Sequence, residues 1–306
     1  SGGVAGFEDV EPERTTETEF GVDFSAFDKM LGVEFTVYNQ QVDGLLLQVE
    51  EAPSTGFSSK WANAGSMKTD GVELGVTLNP VRSKAFNWLS KTTFYTSKAE
   101  ITELKVDPYN TGGFATFLGA YRIEKGWDPH TIVGAELDEN GNHVKLGNET
   151  PDFMMGFNNR VTFGDVSVVA HFDLKKGGQN VNLQELIADL GGTTYDFDDK
   201  GVDPEDKLNN GPYRLANLGS ITTPYVQDAG YFRLSELSVM YSLPKSILGS
   251  ANVERVQVGF TGRNLYQNTP YNGWNPDVSQ FGNVGVGGSV DTGPYPLAKS
   301  MYLSVN

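Results

Sequence analysis

Cysteine is absent from all 306 residues, so neither a disulfide frame nor a thiolate metal site is available to this chain. Histidine is scarce. His130, His143 and His171 are scattered, whereas zinc needs three or four converging ligands, and no Ser–His–Asp order stands out. Cations are also few. Against 39 Asp and Glu there are 23 Lys and Arg, for a net charge of −16, which argues against nucleic acid because phosphate binding needs a basic surface. No apolar run approaches the ~18 residues of a membrane-spanning helix, no signal peptide is visible, and no glycine-rich strand–loop–helix phosphate cradle occurs. The missing helix does not exclude a membrane, since a β-barrel crosses one with alternating strands of about 9–11 residues.

What is present is glycine (36 residues) and aromatics (11%), with hydrophobics held to 38%, the mix of an all-β chain with many turns. The stretch from Gly230 to Asn264 carries the pattern most plainly. Arg255, Gln257, Thr261 and Arg263 fall on one side of a period of two, and Val256, Val258 and Phe260 on the other. Leu237, Val239 and Tyr241 share a face in the preceding half, and Pro244 and Gly249 mark the connection between the halves. This is a hairpin with one greasy face and one wet face.

The rest of the chain repeats that unit. Residues 1–15 read as the tail of a loop. Phe20, Val22 and Phe24 mark a first strand, and after a turn near Asp28–Leu31, Val33, Phe35 and Val37 mark a second. A polar loop is expected over about Gln48–Lys68. The third strand alternates Val72, Leu74, Val76 and Leu78 with Gly71, Glu73, Gly75 and Thr77. The fourth, around Phe86–Ser97, alternates poorly, with Trp88 and Phe94 on one face. After a long loop over Ile101–Glu149, the fifth carries Phe153, Met155, Phe157 and Val161. The sixth sets Val166, Val168, Ala170, Phe172 and Leu174 against Ser167, His171, Asp173 and Lys175. A second long loop covers Gly177–Ala229, in which VNLQELIADLGG predicts a short helix closed by glycine. The hairpin supplies strands seven and eight, a third long loop spans Tyr266–Pro296, and Met301, Leu303 and Val305 close the chain as a ninth strand.

The connections alternate between short and long, so the long ones share one end. Outer-membrane barrels have this layout, with short periplasmic turns and long extracellular loops, whereas a soluble sandwich has no reason to gather its long loops at one end. The reading is therefore all-β: an antiparallel transmembrane β-barrel segment of about nine strands. Val72, Leu74, Val76, Val166, Val168, Val256, Val258 and Phe260 would face lipid. Glu73, His171, Asp173, Arg255, Gln257 and Arg263 would face the lumen. Bacterial single-chain barrels have even strand numbers, so an odd count predicts further strands before Ser1.

Three runs near the end, GYFRLSELSVMYSLPKSI, VERVQVGFTGRNLYQNTPYNGWNPDVSQFG and DTGPYPLAKSMYLSVN, resemble the C-terminal part of the SusC/RagA family, TonB-dependent outer-membrane transporters of Bacteroidetes. PERTTETEFGVDFSAF, NAGSMKTDGVELGV and the pair beginning TPDFMMGF agree. The resemblance implies a larger, 22-stranded barrel around an N-terminal plug that this chain lacks. It implies a SusD-like surface lipoprotein as lid, a TonB–ExbB–ExbD complex that supplies energy, and import of an oligosaccharide or peptide without catalysis. It also implies an aromatic terminal residue, so residues are expected beyond Asn306. Two other readings remain: a barrel that scaffolds surface lipoproteins, and a soluble carbohydrate-binding β-sandwich.

Trp61, Tyr109, Trp127, Tyr195 and Trp274 are the loop aromatics that could stack on a sugar ring or a peptide side chain; loop packing or lid contact is the plainer role. Trp88, Tyr231, Tyr241 and Tyr302 lie near strand ends and are expected in the interfacial aromatic belt. In DENGNHVKLGNE, the positions of Asp138, Asn140, Asn142 and Glu149 match a calcium loop, but His143 replaces the glycine of the sharp turn. The run Asp196–Asp206 has Lys200 where a ligand should stand. Both runs read as acidic surface loops. Arg255 and Arg263 are expected to pair with carboxylates on neighbouring strands.

Overall fold

The computed structural model describes residues 3–6, 10–248, 255–282 and 286–306. Gly249, expected to mark a turn, lies outside them. In chain order the strands begin with β1 (Val4–Ala5), β2 (Arg14–Ala26), β3 (Leu31–Glu50), β4 (Ser59–Arg82) and β5 (Phe86–Leu104). Four short strands follow, β6 (Tyr109–Thr111), β7 (Ala120–Ile123), β8 (Thr131–Val133) and β9 (Gly147–Asn148). Next come β10 (Pro151–Phe163), β11 (Val166–Gly177), β12 (Gln179–Asn182), helices α1 (Leu183–Leu190) and α2 (Asn210–Ala216), β13 (Val226–Asp228) and β14 (Tyr231–Ser242). The chain ends with α3 (Lys245–Leu248), β15 (Gln257–Asn268), β16 (Val290–Asp291) and β17 (Ser300–Val305).

Nine strands form one sheet in the order β17-β15-β14-β11-β10-β5-β4-β3-β2, and β1 pairs in parallel with the start of β4. Every link between neighbours on that nine-strand path is antiparallel. Register turns the sequence alternation into two continuous faces. One cross-strand row reads Val22, Phe35, Leu74, Phe94, Met155, Leu174, Phe232. The row one residue away reads Asp23, Glu34, Gly75, Thr93, Gly156, Asp173, Arg233. Nearer the short turns, Leu303, Phe260, Val239, Val168, Val161 and Trp88 continue the apolar face.

The apolar face is bare. Phe20, Phe24, Phe163 and Leu303 are each more than half exposed. A soluble sandwich would bury such a face under a second sheet. Among the described residues none covers it, and this overturns the sandwich reading.

Three expectations are corrected. The polar loop over Gln48–Lys68 is mostly strand: β3 and β4 run on past Val42 and are joined across residues 51–58. At ~3.3 Å per residue, the 24 residues of β4 span roughly 80 Å, far beyond a hydrocarbon core of ~30 Å, so this part of the wall stands clear of the membrane. Tyr231 and Tyr302 do not belong to an apolar belt. Tyr231 is opposite Lys175 and Tyr302 opposite Thr261, both on the polar face, and the Arg233 guanidinium lies 4.2 Å from the Tyr231 ring centre. Residues 4–5 and 14–15, expected in a loop tail, are strand.

The long loops also carry structure. β6 to β9 make a four-stranded sheet inside the first, and β12, β13 and β16 join the second to the third. The helix read in VNLQELIADLGG is α1. Asn182 caps it, its Oδ1 accepting from Glu185 N, and Gly192 follows at φ +63°, the left-handed region that a glycine enters without strain. Tyr121, Ile132, Val181, Leu183, Leu186, Tyr225 and Val290, drawn from all three loops, form one buried hydrophobic cluster. The loops thus make a folded cap at the end of the wall opposite the short turns.

Candidate functional site

Where the cap meets the polar face, a pocket of about 450 Å³ opens. Its floor is wall, with Thr69 of β4, Tyr95 and Ser97 of β5 and Lys175 of β11; its roof is cap, with His130, Glu149, Asp277 and Ser289. Tyr95 and Lys175 belong to one row, since Tyr95 is opposite Met154 and Met154 opposite Lys175. The Tyr95 and Ser97 hydroxyls lie 3.0 Å apart and share one hydrogen bond.

The roof is pinned through Asp277. Its Oδ2 accepts from Arg233 Nη2 at 3.1 Å, and its Oδ1 lies 3.6 Å from Lys175 Nζ. Asn275 Oδ1 accepts from the same guanidinium nitrogen at 3.2 Å. On the cap side, Val278 O accepts from Asn180 Nδ2, and the Tyr271 hydroxyl donates to Asp291 at 2.8 Å. His130 Nδ1 lies 3.0 Å from Asp128 Oδ1.

Behind the pocket the cap is held by buried charge. Arg214 of α2 makes two hydrogen bonds to Asp189, at 2.6 and 2.7 Å, and two to Asp196, at 3.0 and 2.8 Å. Glu185 Oε1 lies 3.5 Å from the same guanidinium, and its other oxygen accepts from Gln227 and Asn272. The bonds from Arg214 hold the Asp196 carboxyl below the usual carboxylate range despite its burial. Glu185 goes the other way: loss of solvent raises it, and the amide donors and Arg214 offset only part of the rise.

Residues 196–206 form an acidic surface loop with Asp198, Asp199, Glu205 and Asp206 exposed, but Asp196 and Asp203 turn inward and are buried. Asp203 accepts the backbone N–H groups of Glu205, Lys207 and Leu208, and Lys200 donates to the carbonyls of Asp206 and Lys207. The other acidic run is a small hairpin. Asp138 Oδ1 accepts from the backbone N–H groups of Asn140 and Asn142, whereas Glu149 bonds through its backbone to His130 beside β9. Asp138 and Glu149 therefore belong to different features. Among the described residues, no group of three or more His, Asp or Glu side chains converges on a common point.

The five loop aromatics do not share one site. Trp61 stands on the extended part of β4, opposite Gln48 and 46% exposed. Tyr109 opens β6 and lines a separate cleft with Val49 and Lys105. The Trp127 ring is covered by Lys145, whose Nζ is 4.3 Å from its centre. Only Tyr195 and the segment of Trp274 come together: the Tyr195 hydroxyl donates to Asn272 Oδ1 at 3.2 Å, and the two rings are 74% and 60% exposed.

Along the polar face, Lys91, Asn158, His171, Glu236 and Arg263 form a charged row. His171 Nε2 is 3.0 Å from Asp173, and Arg263 Nε donates to Glu236 at 3.2 Å. Arg255 and Val256 precede the first residue of β15. Arg255 donates to Ser242 Oγ rather than to a carboxylate and lines a cleft with Arg160, Gln257 and Met240. Sequence reasoning placed Lys175 on the wet face without singling it out. It gave no role to Arg214, Arg233 or Asp277, whose partners lie up to 44 positions away.

A two-faced antiparallel wall with short turns at one end and a folded cap at the other defines a segment of an outer-membrane β-barrel. The chain belongs to the family described as TonB dependent receptor-like, beta-barrel, which it matches over residues 1–295. It is 26% identical to TonB-dependent receptor P3 of Formosa agariphila, over 96% of this chain and 34% of that protein. It is 22% identical to TonB-dependent receptor SusC of Bacteroides thetaiotaomicron, over 98% of this chain and 32% of that protein. In fold it superimposes on the RagAB peptide transporter with a TM-score of 0.72 at 21% identity, covering 98% of this chain and 35% of that one. The chain thus spans about a third of the length of these relatives.

Proposed function

We propose that this chain is the C-terminal part of a SusC-like barrel that imports a large nutrient, an oligosaccharide or a peptide, across the outer membrane. The reading that residues 1–306 follow a plug and earlier strands belongs to the same proposal. The observation that carries it is the roofed pocket, because a wall whose polar face ends under a folded cap offers a route from the cap to the lumen. The bare apolar face sits in lipid, and each inner strand's backbone groups are paired with its neighbours, the condition a sheet must meet to cross hydrocarbon. The cap presents the docking surface for a SusD-like lipoprotein, and energy comes from a TonB–ExbB–ExbD complex.

The test is uptake. Cells carrying the gene as their sole route should accumulate a fluorescent oligosaccharide or peptide, and deletion of tonB should abolish accumulation while leaving surface binding intact. Unchanged accumulation without TonB would refute energised import. Copurification of surface lipoproteins with no accumulation of either probe would favour the scaffolding role.

A further inference from the structure

The roofed pocket holds a cation without a settled partner. The Lys175 side chain is 12% exposed, and its Nζ reaches the pocket. Its closest carboxylate oxygen, Asp277 Oδ1, stands 3.6 Å away, beyond hydrogen-bond distance. Asp277 bonds instead to Arg233, so two cations share one carboxylate. An ammonium carries three donors, and among the described residues Lys175 discharges none of them on an acceptor. The other pocket carboxylate, Glu149, has its Oε2 sealed from solvent without a partner, so that oxygen does not face the opening. Beside the lysine, the hydroxyls of Tyr95, Ser97 and Tyr38 use two hydrogens among their three oxygens, which leaves a third to donate outward.

A nearly buried ammonium that shares its nearby carboxylate with a second cation carries a desolvation cost that is offset only in part. A ligand that brings an anionic oxygen pair relieves the cost, because charge-assisted bonds are the strong ones. We propose that Lys175 anchors a carboxylate of the imported molecule at the top of the lumen, with the Tyr95–Ser97 pair donating to its second oxygen. This rests on the import reading above. The carboxylate has two possible sources, the free C-terminus of a peptide or a uronic acid of an oligosaccharide.

The test uses the protein purified from outer membranes in detergent and four probes. These are tetra-alanine and its C-terminal amide, and trigalacturonic acid and its methyl ester. Lys175 is acylated with an amine-reactive ester, and its modification is followed by peptide mass spectrometry. One free acid should slow acylation of Lys175 at least tenfold relative to its capped form, and the pair that does so identifies the source. Calorimetric binding should show the same preference, which Lys175→Gln should erase and Lys175→Arg retain. Equal protection by acid and capped forms, protection by no probe, or a preference that survives Lys175→Gln would each overturn the assignment. The acylation readout needs no variant, so a misfolded Lys175→Gln leaves it decisive. Failure here with TonB-dependent uptake intact rejects the anchor alone.

Discussion

At Arg214 the cap sets one guanidinium against three carboxylates, Glu185, Asp189 and Asp196, all withdrawn from solvent. Removing one partner of a buried ionic network leaves uncompensated charge, at a cost of about 3–5 kcal/mol. Arg214→Leu should therefore loosen the cap, read as faster proteolytic cleavage within residues 177–229 while the wall remains folded. The two shifted carboxyls give opposite pH dependences. Asp196, held low in the folded cap, contributes stability that is complete above the ordinary carboxylate range and is lost as pH falls through its folded value. Glu185, held high, is a burden above that range, where the unfolded chain ionises more readily. Glu185→Gln should thus slow cleavage of the cap at pH 7 and make little difference at pH 4. Faster cleavage at pH 7 would reject this account.

At the scale of the strand, the two faces predict unequal effects of equal charges. Leu74→Arg puts a charge on the apolar face at a cost of roughly 2–4 kcal/mol at the membrane midplane, whereas Glu73→Arg lies on the polar face. The yield of folded barrel, scored by heat-modifiable migration, should fall for the first and hold for the second. Gly71 adds a steric case, because a Cβ there would sit 2.1 Å from Cζ of the Tyr38 ring across the sheet. Gly71→Ala should lower the same yield, and Tyr38→Ala should restore it.

Strand existence and facing were legible because period two survives wherever neighbours pair without interruption, as from Val72 to Leu78. Legibility failed at bulges. Register shifts between Asp43 and Leu46 bring Leu45, Leu46 and Leu47 in succession, so the alternation disappears although the strand continues. Tyr302 has the residue type of an interfacial aromatic, but its place between Ser300 and Ser304 on β17 gives it the parity of the polar face.

Across the whole molecule, the wall was readable and the cap was not. Wall strands pair in the order in which the chain supplies them, whereas cap contacts join separate loops. The Thr222 hydroxyl donates to Phe117 O across 105 positions, and the Tyr121 hydroxyl to Ser289 O across 168. Each loop alone is rich in Gly, Asn and Asp, and only the meeting of three loops supplies an apolar interior. The pocket is illegible for the same reason, since its floor and roof are gathered from segments scattered between Thr69 and Ser289.

The reach of the Tyr121–Ser289 bond predicts an order in time. Long-range contacts form after the intervening chain is already gathered, because closing a large loop costs entropy before any contact rewards it. The tight hairpins of the wall, such as β2–β3 and β10–β11, are therefore expected to zip first, while the long loops are still separate strings. During assembly, heat-modifiable migration should appear before the 177–229 segment resists protease. In that interval the polar face of the wall stands uncovered at the end where the cap will form.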